Sequence, residues 1–168
     1  RTVRPGQVGE IVTRSSNNML RYWKQPEATA RTKSADGWVH TGDAGYVDAD
    51  GYVYIHDRVK DMIISGGENV YPAEVENAIY GHPDVADVAV IGVPDETWGE
   101  AVKAVCVPKP GHTLDAGSVI AWARERIAGF KVPKSVDVIA ELPRNPTGKI
   151  LRRALRAPYW QGRERQVN

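Results

Sequence analysis

The spacing of apolar residues changes near residue 57 of this chain. Before that point, apolar and polar residues alternate in short runs, which is the period of strands with one buried face. The pair Asp50-Gly51 precedes the last of these runs and predicts a hairpin. Residues 17–33 lack the alternation, and we predict them to be helical or irregular. The alternating runs cover residues 10–14 and 52–56, and residues 37–40 are predicted to form a further short strand.

After residue 60, short apolar runs alternate with segments of helical period. Pro72 suits a first helical turn and Gly81 suits a helix end, so residues 72–80 are predicted to be helical. This rhythm predicts an α+β fold, in which β-rich strands precede a small mixed sheet covered by helices. The other predicted strands cover residues 62–65, 85–93, 101–107 and 135–140, and the other predicted helices cover residues 114–128 and 149–156.

The change of pattern marks the one domain boundary that the sequence indicates. Residues 57–61 are few and charged, which suits a hinge better than a flexible tether. The chain begins at Arg1 inside a turn that leads into a strand. We therefore expect it to be the C-terminal part of a longer protein.

Composition narrows the function classes. Among 168 residues, 22 Lys and Arg stand against 21 Asp and Glu, which argues against nucleic-acid or membrane-surface binding as the main role. Cys106 is the single cysteine and lies in an apolar run, which predicts a buried thiol and excludes an internal disulfide. The four histidines lie in separate predicted elements, so no metal site is predicted. No transmembrane segment is visible in the sequence.

Three charged residues near the boundary are candidates for binding a nucleotide. Asp43 follows a predicted strand and a glycine, and its carboxylate could accept hydrogen bonds from two neighbouring sugar hydroxyls. Arg58 and Lys60 are two residues apart and point the same way on an extended strand. Arg58 could hold a ribose or a phosphate with its fork of donors. The alternatives without a ligand are that Asp43 bonds the backbone of its own turn and that Arg58 and Lys60 are solvated surface charges.

Two glycine-containing turns are further candidates. Gly66 and Gly67 follow an apolar strand and would let a narrow ligand approach the backbone, although a simple turn is the alternative. Lys149 follows a turn-rich segment, but Ile150 stands where a phosphate-binding Walker loop needs Ser or Thr. A lysine here could instead neutralise charge between a bound carboxylate and a phosphate, or simply start a helix in water.

Aromatic and basic residues in two loops complete the candidates. Trp98 lies in a polar loop, where it could stack on a nucleobase or pack into a core. Phe130 and Lys134 share a loop that would suit an adenine and a phosphate.

Taken together, these segments closely resemble the adenylate-forming enzymes, specifically the acyl-CoA synthetases. The run from residue 64 to residue 72 is most similar to the fatty-acyl-CoA ligases. The resemblance rests on the order and separation of residues 37–43, 57–76 and 143–152.

The resemblance implies a domain organisation and a role for each candidate. Lys149 would be the catalytic lysine of adenylation, and Lys60 would be the pivot of a domain rotation. Residues 1–57 would end a large N-terminal domain, residues 58–60 would form the hinge, and residues 61–168 would form a mobile C-terminal domain. The ribose of ATP or acyl-AMP would contact Asp43 and Arg58, the pantetheine arm would contact Gly66 and Gly67, and the CoA nucleotide would contact Trp98, Phe130 and Lys134.

The implied activity is ATP-dependent ligation of a fatty acid, or another carboxylic acid, to CoA through an acyl-AMP intermediate. ATP with Mg would be bound mainly by the N-terminal domain, so the isolated chain is expected to be inactive. The alternatives are an adenylation enzyme that loads a carrier protein and a non-catalytic binding module that keeps the fold. The resemblance further implies lipid metabolism in the cytoplasm. Oligomeric state and peripheral membrane association of the full-length protein stay open.

Overall fold

The computed structural model describes residues 2–163. Its backbone divides into two compact units between Val59 and Lys60, and each unit is described by itself. Both units build small sheets with few short helices, which confirms the predicted α+β class. Within the described range, no helix has the length and apolar character needed to cross a membrane.

The first unit is a three-stranded antiparallel sheet in the order β1-β2-β3. The hairpin predicted at Asp50-Gly51 is confirmed, because β2 and β3 pair antiparallel on either side of it. The Asp48 carboxylate accepts the backbone N–H groups of Asp50 and Tyr52 and so fixes the loop. The elements are β1 (Gly9–Thr13), α1 (Pro26–Thr32), β2 (Val39–Val47) and β3 (Val53–Arg58).

The strand predicted to end at His40 continues to Val47, so Asp43 lies inside β2 and not in a turn after it. The segment 41–43 is a bulge, because Val12 pairs with His40 while Glu10 already pairs with Ala44. Gly42 has a φ of +74°, a conformation that favours glycine and that the bulge requires. The prediction was wrong because the bulge interrupts the alternation by which a strand is recognised.

The second unit is a five-stranded sheet in the order β5-β4-β7-β6, with β8 parallel to β7. Its strands are β4 (Ile63–Ser65), β5 (Glu68–Val70), β6 (Val85–Asp95), β7 (Gly99–Pro108) and β8 (Ser135–Val138). Its helices are α2 (Pro72–Tyr80), α3 (Ala116–Arg124) and α4 (Arg152–Arg156), and two short 3₁₀ turns cover Val59–Asp61 and Gly129–Lys131.

Both faces of this sheet are buried. Successive residues of β6 face opposite sides, so Val88 and Val90 join one core cluster while Ala89 and Ile91 join the other. The first cluster lies under α2 and α3, and the second is covered by the C-terminal segment that contains α4. Burial on both sides explains why β6 and β7 appear in the sequence as nearly continuous apolar runs.

Two predicted helices are shorter in the structure. The helix predicted over residues 114–128 covers Ala116–Arg124, where the Asp115 carboxylate caps its start by accepting the N–H of Ser118. The helix predicted to begin at residue 149 begins at Arg152, because the preceding residues form a tight loop. Lys149 is therefore a loop residue and not the start of a helix.

The thiol of Cys106 is expected to be unreactive in the folded protein. The side chain is fully buried in β7, and this burial raises its pKa to about 12, so almost no thiolate is present at neutral pH. Ellman's reagent should release no measurable thionitrobenzoate in native buffer and one equivalent per chain in concentrated urea. Rapid stoichiometric labelling in native buffer would contradict this burial.

Candidate functional site

In the first unit, Asp43 and Arg58 stand opposite each other on β2 and β3. The Arg58 Nε lies 3.0 Å from the Asp43 Oδ1, and the two side chains are 50% and 30% exposed. A carboxylate and a guanidinium are thus presented side by side with surface left for a ligand. This pair can accept hydrogen bonds from vicinal hydroxyls and donate to an oxygen next to them.

The bulge that carries Asp43 is held by side chains of β1 and of the bulge itself. The Glu10 carboxylate accepts the N–H of Gly42 at 3.1 Å and lies 2.7 Å from Nδ1 of His40. The Thr41 hydroxyl donates to the Ile11 carbonyl and accepts the N–H of Asp43. Sequence reasoning missed Glu10, because it is separated by about thirty residues from its partners and no local pattern joins them.

Lys60 begins the second unit within the 3₁₀ turn Val59–Asp61, and it is exposed. The next residue, Asp61, is 7% exposed and pairs with Arg156 of α4 at 3.3 Å. The guanidinium of Arg156 also reaches the Lys60 carbonyl at 3.5 Å. Helix α4 therefore fastens the backbone next to Lys60 to the rest of the second unit.

Gly66 and Gly67 form the two-residue turn of the hairpin between β4 and β5. The sequence did not predict β5. Their φ angles are both positive, at +61° and +85°, as the two central positions of a type I′ turn require. The N–H of Gly66 donates to the carbonyl of Trp98 at 2.9 Å. A Cβ at Gly66 would lie 2.6 Å from the Trp98 ring, so the indole packs directly on this glycine.

Trp98 presents a half-exposed ring beside a lysine. Trp98 lies in the polar loop between β6 and β7, as predicted. The Asp95 carboxylate accepts the backbone N–H of Trp98 there. The Lys134 ammonium is 5.8 Å from the centre of the ring. Phe130 is 41% exposed on the 3₁₀ turn Gly129–Lys131, and the cation near its ring is that of Lys131. The structure thus brings Trp98 together with Gly66 and Lys134.

Lys149 is exposed at the end of a loop with a defined shape. The Asn145 side-chain oxygen accepts the N–H groups of Thr147 and Lys149 at 3.0 and 2.8 Å. The N–H of Asn145 donates to the Lys149 carbonyl, and Arg144 and Ile150 pair as an isolated β-bridge. These bonds close the loop on itself and present the lysine just before α4.

The loop of Lys149 and the turn of Gly66 are supported at different ends of β6. Trp98 lies in the loop at the closed end of the β6–β7 hairpin, next to Asp95. Arg144 of the lysine loop contacts Asp87, near the other end of the same strand. At about 3.3 Å per residue, Asp87 and Asp95 are about 26 Å apart along β6. One sheet therefore carries two separate groups of exposed candidate residues.

Comparison with known proteins gives a consistent set of relatives. The family described as AMP-binding enzyme C-terminal domain matches residues 74–149. A feruloyl-CoA synthase from an Amycolatopsis species is 56% identical, covering 94% of this chain and 32% of that protein. The fatty acid–acyl-carrier-protein ligase ScoC from Streptomyces coeruleorubidus is 50% identical, covering 100% of this chain and 32% of that protein. The chain therefore spans about a third of the length of these curated relatives.

A solved structure shares the fold. The o-succinylbenzoate CoA synthetase MenE from Bacillus subtilis, in complex with its acyl-adenylate intermediate, matches with a TM-score of 0.84 at 40% identity. The match covers 91% of this chain and 31% of that one.

Proposed function

Because this chain belongs to the family of adenylate-forming, AMP-binding enzymes, we propose that it is the C-terminal part of an ATP-dependent carboxylic acid–CoA ligase. One observation carries the proposal. A single sheet supports an exposed lysine loop at one end and a glycine–tryptophan turn at the other, as an enzyme with two successive half-reactions would need.

In the first half-reaction, a carboxylate oxygen of the acid attacks the α-phosphorus of ATP, and pyrophosphate leaves. The proposed role of Asp43 and Arg58 is to hold the ribose, for which their adjacent acceptor and donor groups are suited. Lys149 would approach the acyl carboxylate and the α-phosphate and stabilise the charge that develops between them. The product is acyl-AMP.

In the second half-reaction, the CoA thiolate attacks the acyl carbonyl carbon, and AMP leaves. We propose that residues 61–168 turn about Lys60 between the two steps, with residues 58–60 as the hinge. Gly66 and Gly67 would then line the path of the pantetheine arm, since neither carries a Cβ that would narrow it. Trp98, Phe130 and Lys134 would contact the CoA nucleotide, with Trp98 and Lys134 offering a ring and a cation side by side.

A fatty acid is the proposed acyl substrate, which would place the enzyme in lipid metabolism in the cytoplasm. The similarity of residues 64–72 to fatty-acyl-CoA ligases and the name of the Streptomyces relative support this class. The Amycolatopsis relative is named for a different acid, so the identity of the acid is a separate proposal from the CoA ligase activity. The test is to incubate the full-length enzyme with a fatty acid, ATP, Mg and CoA. We expect acyl-CoA, AMP and pyrophosphate in equal amounts.

Loading of a carrier protein is the second candidate, because one relative carries that activity in its name. The pairing of the Trp98 ring with the Lys134 ammonium favours free CoA, whose nucleotide a carrier protein lacks. Thioester formation by the full-length enzyme with CoA as the only thiol would support the CoA ligase. Dependence on an added carrier protein would support the second candidate.

The isolated chain is expected to show no ATP–pyrophosphate exchange above background. The resemblance implies that the phosphate loop, the adenine-binding segment and the acyl pocket belong to the N-terminal domain. The exposed apolar side chains of Tyr52, Val53 and Ile55, at 68%, 57% and 68%, support the view that the first unit packs against further protein. Exchange of labelled pyrophosphate into ATP by the chain alone, measured beside the full-length enzyme, would contradict the expectation.

A further inference from the structure

The loop that carries Lys149 is anchored to the sheet by the side chain of Arg144. The Arg144 guanidinium donates from one terminal nitrogen to the Gly148 carbonyl at 2.6 Å. Its other terminal nitrogen donates to the Asp87 carboxylate of β6 at 2.5 Å. One planar group therefore connects the residue directly before Lys149 to a strand of the sheet.

The loop's own hydrogen bonds cannot replace this connection. Those made by Asn145 join loop residues to one another, so they fix the shape of the loop but not its direction relative to β6. The ends of the loop are held by Leu142, which is buried, and by Ile150, which packs against the same cluster. Among the described residues, the ion pair of Arg144 with Asp87 connects the base of this loop to β6.

Asp87 is itself held in place. Its Oδ1 accepts the Tyr80 hydroxyl at 2.6 Å and the N–H of Val88 at 2.9 Å. Burial alone would raise the pKa of Asp87, but the hydrogen bonds from Tyr80 and Arg144 outweigh it and lower that pKa. The carboxylate is therefore ionised at neutral pH, and it offers Arg144 a fixed anion on a rigid strand.

We propose that Arg144 is a positioning residue for adenylation, which directs Lys149 by bridging the Gly148 carbonyl to Asp87. The inference rests on the role proposed for Lys149. The bridge needs two donors in a fixed plane, which arginine has and lysine lacks. Because the pair is partly exposed, it contributes little to stability. Its loss would move the lysine without unfolding the domain, and a displacement near 1 Å can reduce a rate by about 10²-fold.

The test compares the two half-reactions in the full-length enzyme. For Arg144→Gln, we expect the kcat of ATP–pyrophosphate exchange to fall roughly 10- to 100-fold, with the KM values for ATP and acid nearly unchanged. Thioester formation from supplied acyl-AMP should stay within about 2-fold of wild type, because Lys149 has no part in that step. Asp87→Asn removes the negative charge that faces Arg144 and should act in the same direction. Arg144→Lys should give an intermediate rate.

Arg153→Gln is the matched control, since Arg153 is exposed on α4 and should leave both half-reactions unchanged. Equal loss of both half-reactions in Arg144→Gln and Asp87→Asn would overturn the proposal, because that is the result of a structural defect. An unchanged exchange rate in these variants, or a full wild-type rate in Arg144→Lys, would overturn it as well. If the wild-type enzyme itself showed no exchange, the proposed function would fail instead.

Discussion

Replacing Lys149 with alanine in the full-length enzyme is expected to slow acyl-AMP formation by at least about 10²-fold. It should leave thioester formation from supplied acyl-AMP near the wild-type rate. The reason is that the lysine stabilises charge between the carboxylate and the α-phosphate, and this charge no longer has to be formed once the adenylate exists. ATP–pyrophosphate exchange measures the first step, and chromatography of acyl-CoA measures the second.

Two other lysines make this result interpretable. Lys109→Ala removes an exposed lysine of the second unit and should change neither rate. Lys134→Ala removes the ammonium beside the Trp98 ring and should raise the KM for CoA without slowing exchange. If Lys149→Ala slows only adenylation and Lys134→Ala impairs only the step with CoA, the two results would support a domain that offers two groups of residues in turn. Equal loss of both half-reactions in Lys149→Ala would count against that mechanism.

The local parts of the fold could be predicted from the sequence because their causes are local. A proline and a glycine fix the ends of α2, which covers the predicted residues 72–80. The Asp50-Gly51 pair correctly indicated a hairpin. A turn at Gly66 and Gly67 was one of two alternatives, and the short strand after them was missed because Glu68–Val70 has no alternation long enough to recognise.

The parts that could not be predicted depend on partners far apart in sequence. The bulge that carries Asp43 needs Glu10 on another strand, and Arg144 meets Asp87 across 57 residues. Side chains of this kind look like solvated charges in a sequence, because nothing in their neighbourhood identifies their partners. The roles of the candidate residues stay predictions for a related reason: they depend on contacts with ATP and CoA, which are not part of the polypeptide.

Replacing Arg152 with methionine is expected to destabilise the second unit by about 3 kcal/mol. Glu76 of α2 is 8% exposed, and both of its carboxylate oxygens lie 2.8 Å from one nitrogen of Arg152. The same carboxylate accepts the N–H of Val90, so it joins α2 and α4 to β6. Without the arginine, the buried carboxylate keeps its desolvation cost but loses this cation, and that imbalance is the source of the destabilisation.

Urea denaturation of the chain, followed by labelling of Cys106, measures this effect in the second unit alone, because the thiol is buried there. Arg153→Met, one residue away and exposed, is the matched control and should change the free energy of unfolding by no more than about 0.5 kcal/mol. The double variant Glu76→Gln with Arg152→Met should regain part of the loss, because the carboxylate charge is then gone as well. If Arg152→Met and Arg153→Met had equal unfolding midpoints, the ion pair between Glu76 and Arg152 would not stabilise the second unit.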